Sequence, residues 1–177
     1  MLCASSLLLV FNGIWRINFD SALYRSLARS LARGEGFTHA GLPEPQAYPG
    51  LPILLGCFEA MVGGHELAPL MAVTLCGAAC LVLIHRLISR VYPPEFALAT
   101  TASVGINGWF IQHTQELLTD IPFMFCTLAA LAASEVMRRN LSGSVLSKPS
   151  LLFAAALISS ILFRPVGWIV AASLLAV

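Results

Sequence analysis

"YPGLPILLGCFEAMVGGHE", residues 48–66, decides the fold. Its apolar part, Leu51 to Val62, falls short of the roughly 20 residues that cross a ~30 Å hydrocarbon core at about 1.5 Å per residue, and it carries Glu59. If this stretch spans a membrane, the two basic loops "HRLISR" (85–90) and "RRNLSGSVLSK" (138–148) share a face with residues 16–47, opposite a cytoplasmic start for the chain. If it instead lies in the interface as an amphipathic helix, a cytoplasmic start puts both basic loops inside and residues 16–66 outside. The second arrangement obeys the positive-inside rule and is the one expected.

Composition sets the solvent for that choice. The chain has 177 residues, of which 58% are hydrophobic and 11% charged. Soluble domains run at about 45–50% apolar and ~25% charged. With a mean hydropathy of +0.82, the chain reads as an integral membrane protein. A net charge of +1 argues against nucleic acid, which calls for a strongly basic face. The five cysteines lie in apolar runs without a C-x-x-C pair and read as small buried hydrophobes. Cys76 and Cys80 share a helical face, but no histidine stands at H-E-x-x-H spacing, so no metal site is assigned.

Five apolar runs are long enough to consider as spans: Met1–Trp15, Leu67–Ile84, Phe96–Gln112, Ile121–Val136 and Leu151–Val177. The first lacks the basic start and cleavage site of a signal peptide. The last, if straight and helical, would stretch about 40 Å, longer than a bilayer core, so it is expected to break near Pro165. The fold class expected is an all-α polytopic membrane bundle in one transmembrane domain, with a long external first loop, residues 16–66, carrying interfacial helices. Ending at Val177 within an apolar run, the chain reads as the amino-terminal part of a longer protein.

In "RINFDSALYRSLARSLARGEGF", residues 16–37, helical spacing puts Leu23, Leu27 and Leu31 on one stripe and Arg25, Arg29 and Arg33 on the far side. Asp20 projects to the leucine side, and Tyr24 occupies the position where a base would pair with it at i+4. Asp20 reads either as a helix cap, with the arginines on lipid headgroups, or as a functional carboxylate. "HTQELLTDIPFMF", residues 113–125, holds Glu116 and Asp120 at the outer end of two spans. Thr119 or Asp120 can start a helix there with Pro122 in its first turn, yet acids at membrane depth default to function. Arg164, in "ILFRPVGW" (161–168), is either a snorkelling side chain or an anion clamp.

The succession "NFDSALYRSLARSLARGEGF", "YPGLPILLG", "ELLTDIPFMF" and "FRPVG" resembles the amino-terminal half of GT-C glycosyltransferases, closest to the protein O-mannosyltransferase and aminoarabinose transferase superfamily. Asp20 with Tyr24, and Asp120, match that family's two acidic positions. Ser21 stands where many members have Glu, and the basic residue often found before the proline-rich motif is missing. The resemblance implies transfer of a sugar from a polyprenyl-phosphate donor to an acceptor on the outer face of the cell membrane, with inversion. It implies Asp20 and Asp120 as catalytic carboxylates, and Tyr24, Glu116 and Arg164 as substrate-binding residues. No cofactor is expected; a divalent metal between the two carboxylates stays open, because these relatives divide on it. The competing class is a non-enzymatic transporter or scaffold, in which the same residues are caps and anchors. Transporters usually hold their ionisable residues at the bilayer midplane within repeated halves, and no internal repeat is visible here.

Overall fold

A computed structural model describes residues 19–62, 67–139 and 147–176 of the chain. The expected first span, Met1–Trp15, lies outside the described residues. Among the described residues the chain forms eight helices and one two-stranded hairpin. They are α1 (Phe19–Ala32), β1 (Thr38–His39), β2 (Leu42–Pro43), α2 (Gly50–Val62), α3 (Ala68–Ile88), α4 (Pro94–Gly105), α5 (Gly108–Thr114), α6 (Asp120–Arg139), α7 (Lys148–Phe163) and α8 (Gly167–Leu175). The strands are antiparallel, with Thr38 opposite Pro43. Their two-residue turn takes Ala40 and Gly41 to φ 51° and 79°, the left-handed pair that suits a tight hairpin. The hairpin docks on α1 through Ser26 Oγ to His39 Nδ1 (2.9 Å) and Ser30 Oγ to Thr38 Oγ1 (2.8 Å).

Two helices, α3 with 21 residues and α6 with 20, are long and apolar enough to cross a membrane. Each opens with a proline in its first turn, where a missing N–H costs nothing, and α6 runs from Asp120 to Arg138 and Arg139, charges that suit the helix dipole at both ends. The expected continuous span Phe96–Gln112 is broken. α4 ends at Gly105, and Asn107 turns the chain by accepting hydrogen bonds from the Trp109 and Phe110 N–H groups at 2.9 and 3.3 Å. "VGING" supplies the cause: two glycines flank an asparagine that caps better than it continues a helix. The break expected near Pro165 is present, since Arg164 is extended (φ −153°, ψ 146°) ahead of a proline that disfavours the helical region.

The helices share two cores. One joins Ala28 of α1, Leu51 and Leu55 of α2, Ala72, Val73 and Leu81 of α3, and Ile121 and Phe163 of α6 and α7. The other fills the space between α6, α7 and α8 around Ala130, Phe153, Leu157 and Ala171. One side of α2 packs into the bundle, and its other side, with Ile53, Met61 and Val62, is exposed. Glycines set this packing. A Cβ on Gly50 would lie 2.8 Å from the Leu162 carbonyl carbon, and one on Gly56 would lie 3.0 Å from the Ala28 carbonyl oxygen.

Within the arginine stripe, Arg25 is buried, Arg29 is part-exposed with its Nε 3.5 Å from Glu59 Oε1 of α2, and Arg33 is exposed. Helical projection gave the stripe correctly but could not say that a partner helix would carry a carboxylate to meet it. Charge also divides the bundle lengthwise. Asp20, Asp120 and Arg164 mark one end, while Arg86, Arg90, Arg138 and Lys148 line grooves at the other, the two ends of α6 being about 30 Å apart.

Candidate functional site

Three chain segments build the site at the first end. Ser21, fully buried on α1, donates from Oγ to the Leu117 carbonyl at 3.5 Å and ties the start of α1 to the 115–119 segment. That tether carries Asp20, one residue earlier, and Tyr24, one turn later, toward Asp120. A glutamate at position 21 would not fit a site with no exposed surface.

The second segment is the start of α6. Asp120 is its first residue, as "TDIP" suggested, and Thr119 is buried directly before it. The third is the elbow between α7 and α8. Leaving the helix at Phe163, Arg164 swings its guanidinium across to α6, where Nη2 donates to Asp120 Oδ2 at 2.7 Å and Nε donates to Thr119 Oγ1 at 2.9 Å. The elbow is tight because Gly167 sits against α7, where a Cβ would lie 2.6 Å from the Ser160 carbonyl oxygen. Both charged side chains keep 36–40% of their surface exposed, so the pair opens to solvent and contributes about 1 kcal/mol or less.

Tyr24 reports how these groups sit together. Burial raises its phenol pKa above the usual 10, the Asp20 carboxylate raises it further, Arg164 pulls it back, and Asp120 and Tyr48 add smaller upward effects. Asp20, Asp120 and Arg164 thus all act electrostatically on one phenol. Tyr48 joins them unforeseen; the signal for it was its place at the head of the "YPGLP" motif. Asp20 is exposed in the first turn of α1, and its carboxylate accepts no hydrogen bond among the described residues.

Glu116 lies apart from this cluster. It is buried, and its Oε1 accepts from Gln112 Nε2 at 3.0 Å. The carbonyl of Thr114, two residues before it, accepts from Thr74 Oγ1 at 3.0 Å, which pins the segment to α3. Arg164, read from the sequence as a snorkelling side chain or an anion clamp, contacts Asp120 here, and an incoming anion would share its part-exposed guanidinium. Among the described residues, no three His, Cys, Asp or Glu side chains converge as a metal site.

An apolar crevice of about 350 Å³ adjoins the cluster between α2, α3, α6 and α7. It is lined by Ile53, Leu54, Cys76, Pro122 and Phe163, of which Phe163 directly precedes Arg164 and Pro122 follows Asp120 by two. Compared with family models, curated proteins and solved structures, the chain matches none.

Proposed function

We propose that the chain serves as a multi-pass membrane glycosyltransferase of the GT-C kind, moving a sugar from a polyprenyl-phosphate donor to an acceptor at the outer face of the cell membrane. The observation that carries this reading is the adjacency of the apolar crevice to the Arg164–Asp120 pair. A lipid tail entering beside Pro122 and Phe163 brings its phosphate to the guanidinium, and the planar fork of arginine suits that anion. Membrane placement is supported by the two long apolar helices and by the exposed apolar side chains of α7 and α8, including Leu151, Leu152, Ile158 and Ile169, a patch that soluble monomers rarely carry. Trp109 and Trp168 are both exposed, suiting an interfacial aromatic belt.

In this mechanism the acceptor oxygen attacks the anomeric carbon of the sugar, and the bond from that carbon to the phosphate oxygen breaks. The electron pair leaves with the phosphate, which Arg164 holds, while the acceptor proton passes to Asp20. Tyr24, kept neutral by its surroundings, donates a hydrogen bond to the sugar or its phosphate. Asp120 keeps Arg164 oriented until the donor arrives.

A second reading is favoured by the same pair. Asp120 and Arg164 already satisfy each other, as a structural staple joining α6 to the α7–α8 elbow in a scaffold or transporter would. Binding of polyprenyl phosphate to the protein in nanodiscs separates the readings. The enzyme reading expects Arg164→Ala to weaken that binding at least tenfold while leaving the weaker binding of the uncharged polyprenol unchanged; equal affinity for phosphate and alcohol would overturn it.

A further inference from the structure

The opposite end of the bundle holds a groove that the transferase reading does not use. It runs between α3, α6 and α7 with a volume of about 660 Å³. Its walls are apolar, with Val82 and Leu83 on α3, Ala129 and Ala132 on α6, and Leu152 on α7. The alanines keep the α6 wall shallow, so a flexible chain can lie close to the helix backbone. Along α6 the lining reaches from Phe125 to Val136, about 16 Å of helix. That is close to half of a ~30 Å hydrocarbon core, the depth of one leaflet.

Cations close the groove at its polar end: Arg86 in the last turn of α3, Arg90 just past it, and Lys148 at the first position of α7. The α7 amino terminus adds its partial positive charge at the same place. Three arginines elsewhere pair with acids, Arg29 with Glu59, Arg139 with Glu135 and Arg164 with Asp120. Arg86, Arg90 and Lys148 have no acidic partner among the described residues, and no acid lines the groove. Leu87 and Arg90 also border a second groove against α6, α7 and α8, where Glu135, Arg138 and Arg139 stand beside apolar residues such as Leu131 and Phe153.

From this juxtaposition we infer that the groove is a binding site for an anionic diacyl phospholipid of the cytoplasmic leaflet, its phosphate on Arg86, Arg90 and Lys148 and an acyl chain along the alanine wall of α6. The inference rests on the membrane placement above. Charge complementarity selects the occupant: three cations at the mouth of an apolar channel suit an amphiphile with an anionic head, and basic pockets between helices on the cytoplasmic side are where such headgroups bind.

The test uses the intact chain, purified in a mild detergent, with phosphatidylglycerol and phosphatidylcholine of matched chains as probes. Native mass spectrometry should show phosphatidylglycerol retained in preference. Each cation near an anionic headgroup is worth about a fivefold change in affinity, so the triple variant Arg86→Ala, Arg90→Ala, Lys148→Ala should lose roughly a hundredfold. To cover misfolding of that variant, p-benzoylphenylalanine at Val82 provides an independent readout, in which irradiation should yield an adduct of the phospholipid's mass. Equal retention of both lipids, unchanged retention in the triple variant, the same effect from glycerophosphate alone, or a cross-link from position 82 to the chain's own residues 1–18 would each overturn the site. Resistance of the chain to alkaline carbonate extraction is scored separately: extraction overturns the membrane placement itself, whereas retention in the membrane without lipid preference overturns only this site.

Discussion

Arg164 and Asp120 are 44 positions apart in sequence, yet their side chains meet at 2.7 Å where the α7–α8 elbow touches the first residue of α6. The contact holds Arg164 against one carboxylate of the cluster. It also sets the distance between the apolar crevice and the charge, since Phe163 and Pro122 line the crevice on either side of the pair.

Arg164→Lys should weaken polyprenyl-phosphate binding although the charge is kept. An ammonium cannot reach both Asp120 and Thr119 as the guanidinium does through Nη2 and Nε. Thermal stability should change little, because a pair this exposed contributes about 1 kcal/mol or less. A large loss of stability with unaltered donor binding would assign the pair to the structural reading.

Gly167→Ala should displace the elbow. The added methyl would meet the α7 backbone at 2.6 Å, and backbone cannot step aside as a flexible side chain does. Overpacking of this kind costs about 1–3 kcal/mol. The expected outcome is a lower unfolding temperature together with weaker donor binding, from a residue that touches no ligand. Ala at Gly108, where a Cβ would meet nothing within 4 Å, is the control expected to leave both measurements nearly unchanged.

Tyr24 provides a pH readout of the cluster. Its folded pKa is raised, so its contribution to stability is fully present below the ordinary phenol value near 10 and is lost as pH rises through the folded value. The alkaline tyrosinate difference spectrum between wild type and Tyr24→Phe should have its midpoint above 10. Asp20→Asn should lower that midpoint, and Arg164→Ala should raise it, because the carboxylate and the guanidinium act on the phenol in opposite directions. A midpoint indifferent to Asp20 would remove that carboxylate from the site.

Placement in the membrane is open to thiol labelling. In a cysteine-free background, Ala40→Cys in the exposed hairpin turn should react with an impermeant reagent applied from outside, while Ser142→Cys in the basic loop should be protected until the membrane is permeabilised. The reverse pattern would place the carboxylate cluster on the cytoplasmic side.

Local chemistry made much of this legible in the sequence. "TDIP" announces the start of α6, "FRPVG" announces the elbow, and the four-residue step from Asp20 to Tyr24 puts both on one side of α1. The break at Asn107 had its signal in the flanking glycines, but an apolar count over Phe96–Gln112 outweighed it. Contacts between distant segments were not legible. Periodicity says which face of α1 carries Arg29 but not that Glu59 of α2 will meet it, and hydropathy ranks Leu51–Val62 as apolar without revealing that Gly50 and Gly56 let two backbones approach it. The Arg164–Asp120 contact is of the same kind, since it depends on how the α7–α8 elbow packs on α6.

The proposed role of Asp20, accepting the acceptor's proton in a transferase site, is put to the test by Asp20→Asn. Asparagine nearly matches aspartate in size and is tolerated in the first turn of α1, while losing the basic oxygen. General-base catalysis contributes about 10²–10⁴-fold, so sugar transfer from a polyprenyl-phosphate donor should fall by roughly that factor. Expression, folding and donor binding should stay at wild-type levels. Near-normal transfer by the Asn variant would contradict the account and leave Asp20 as a charge that merely steadies the start of α1.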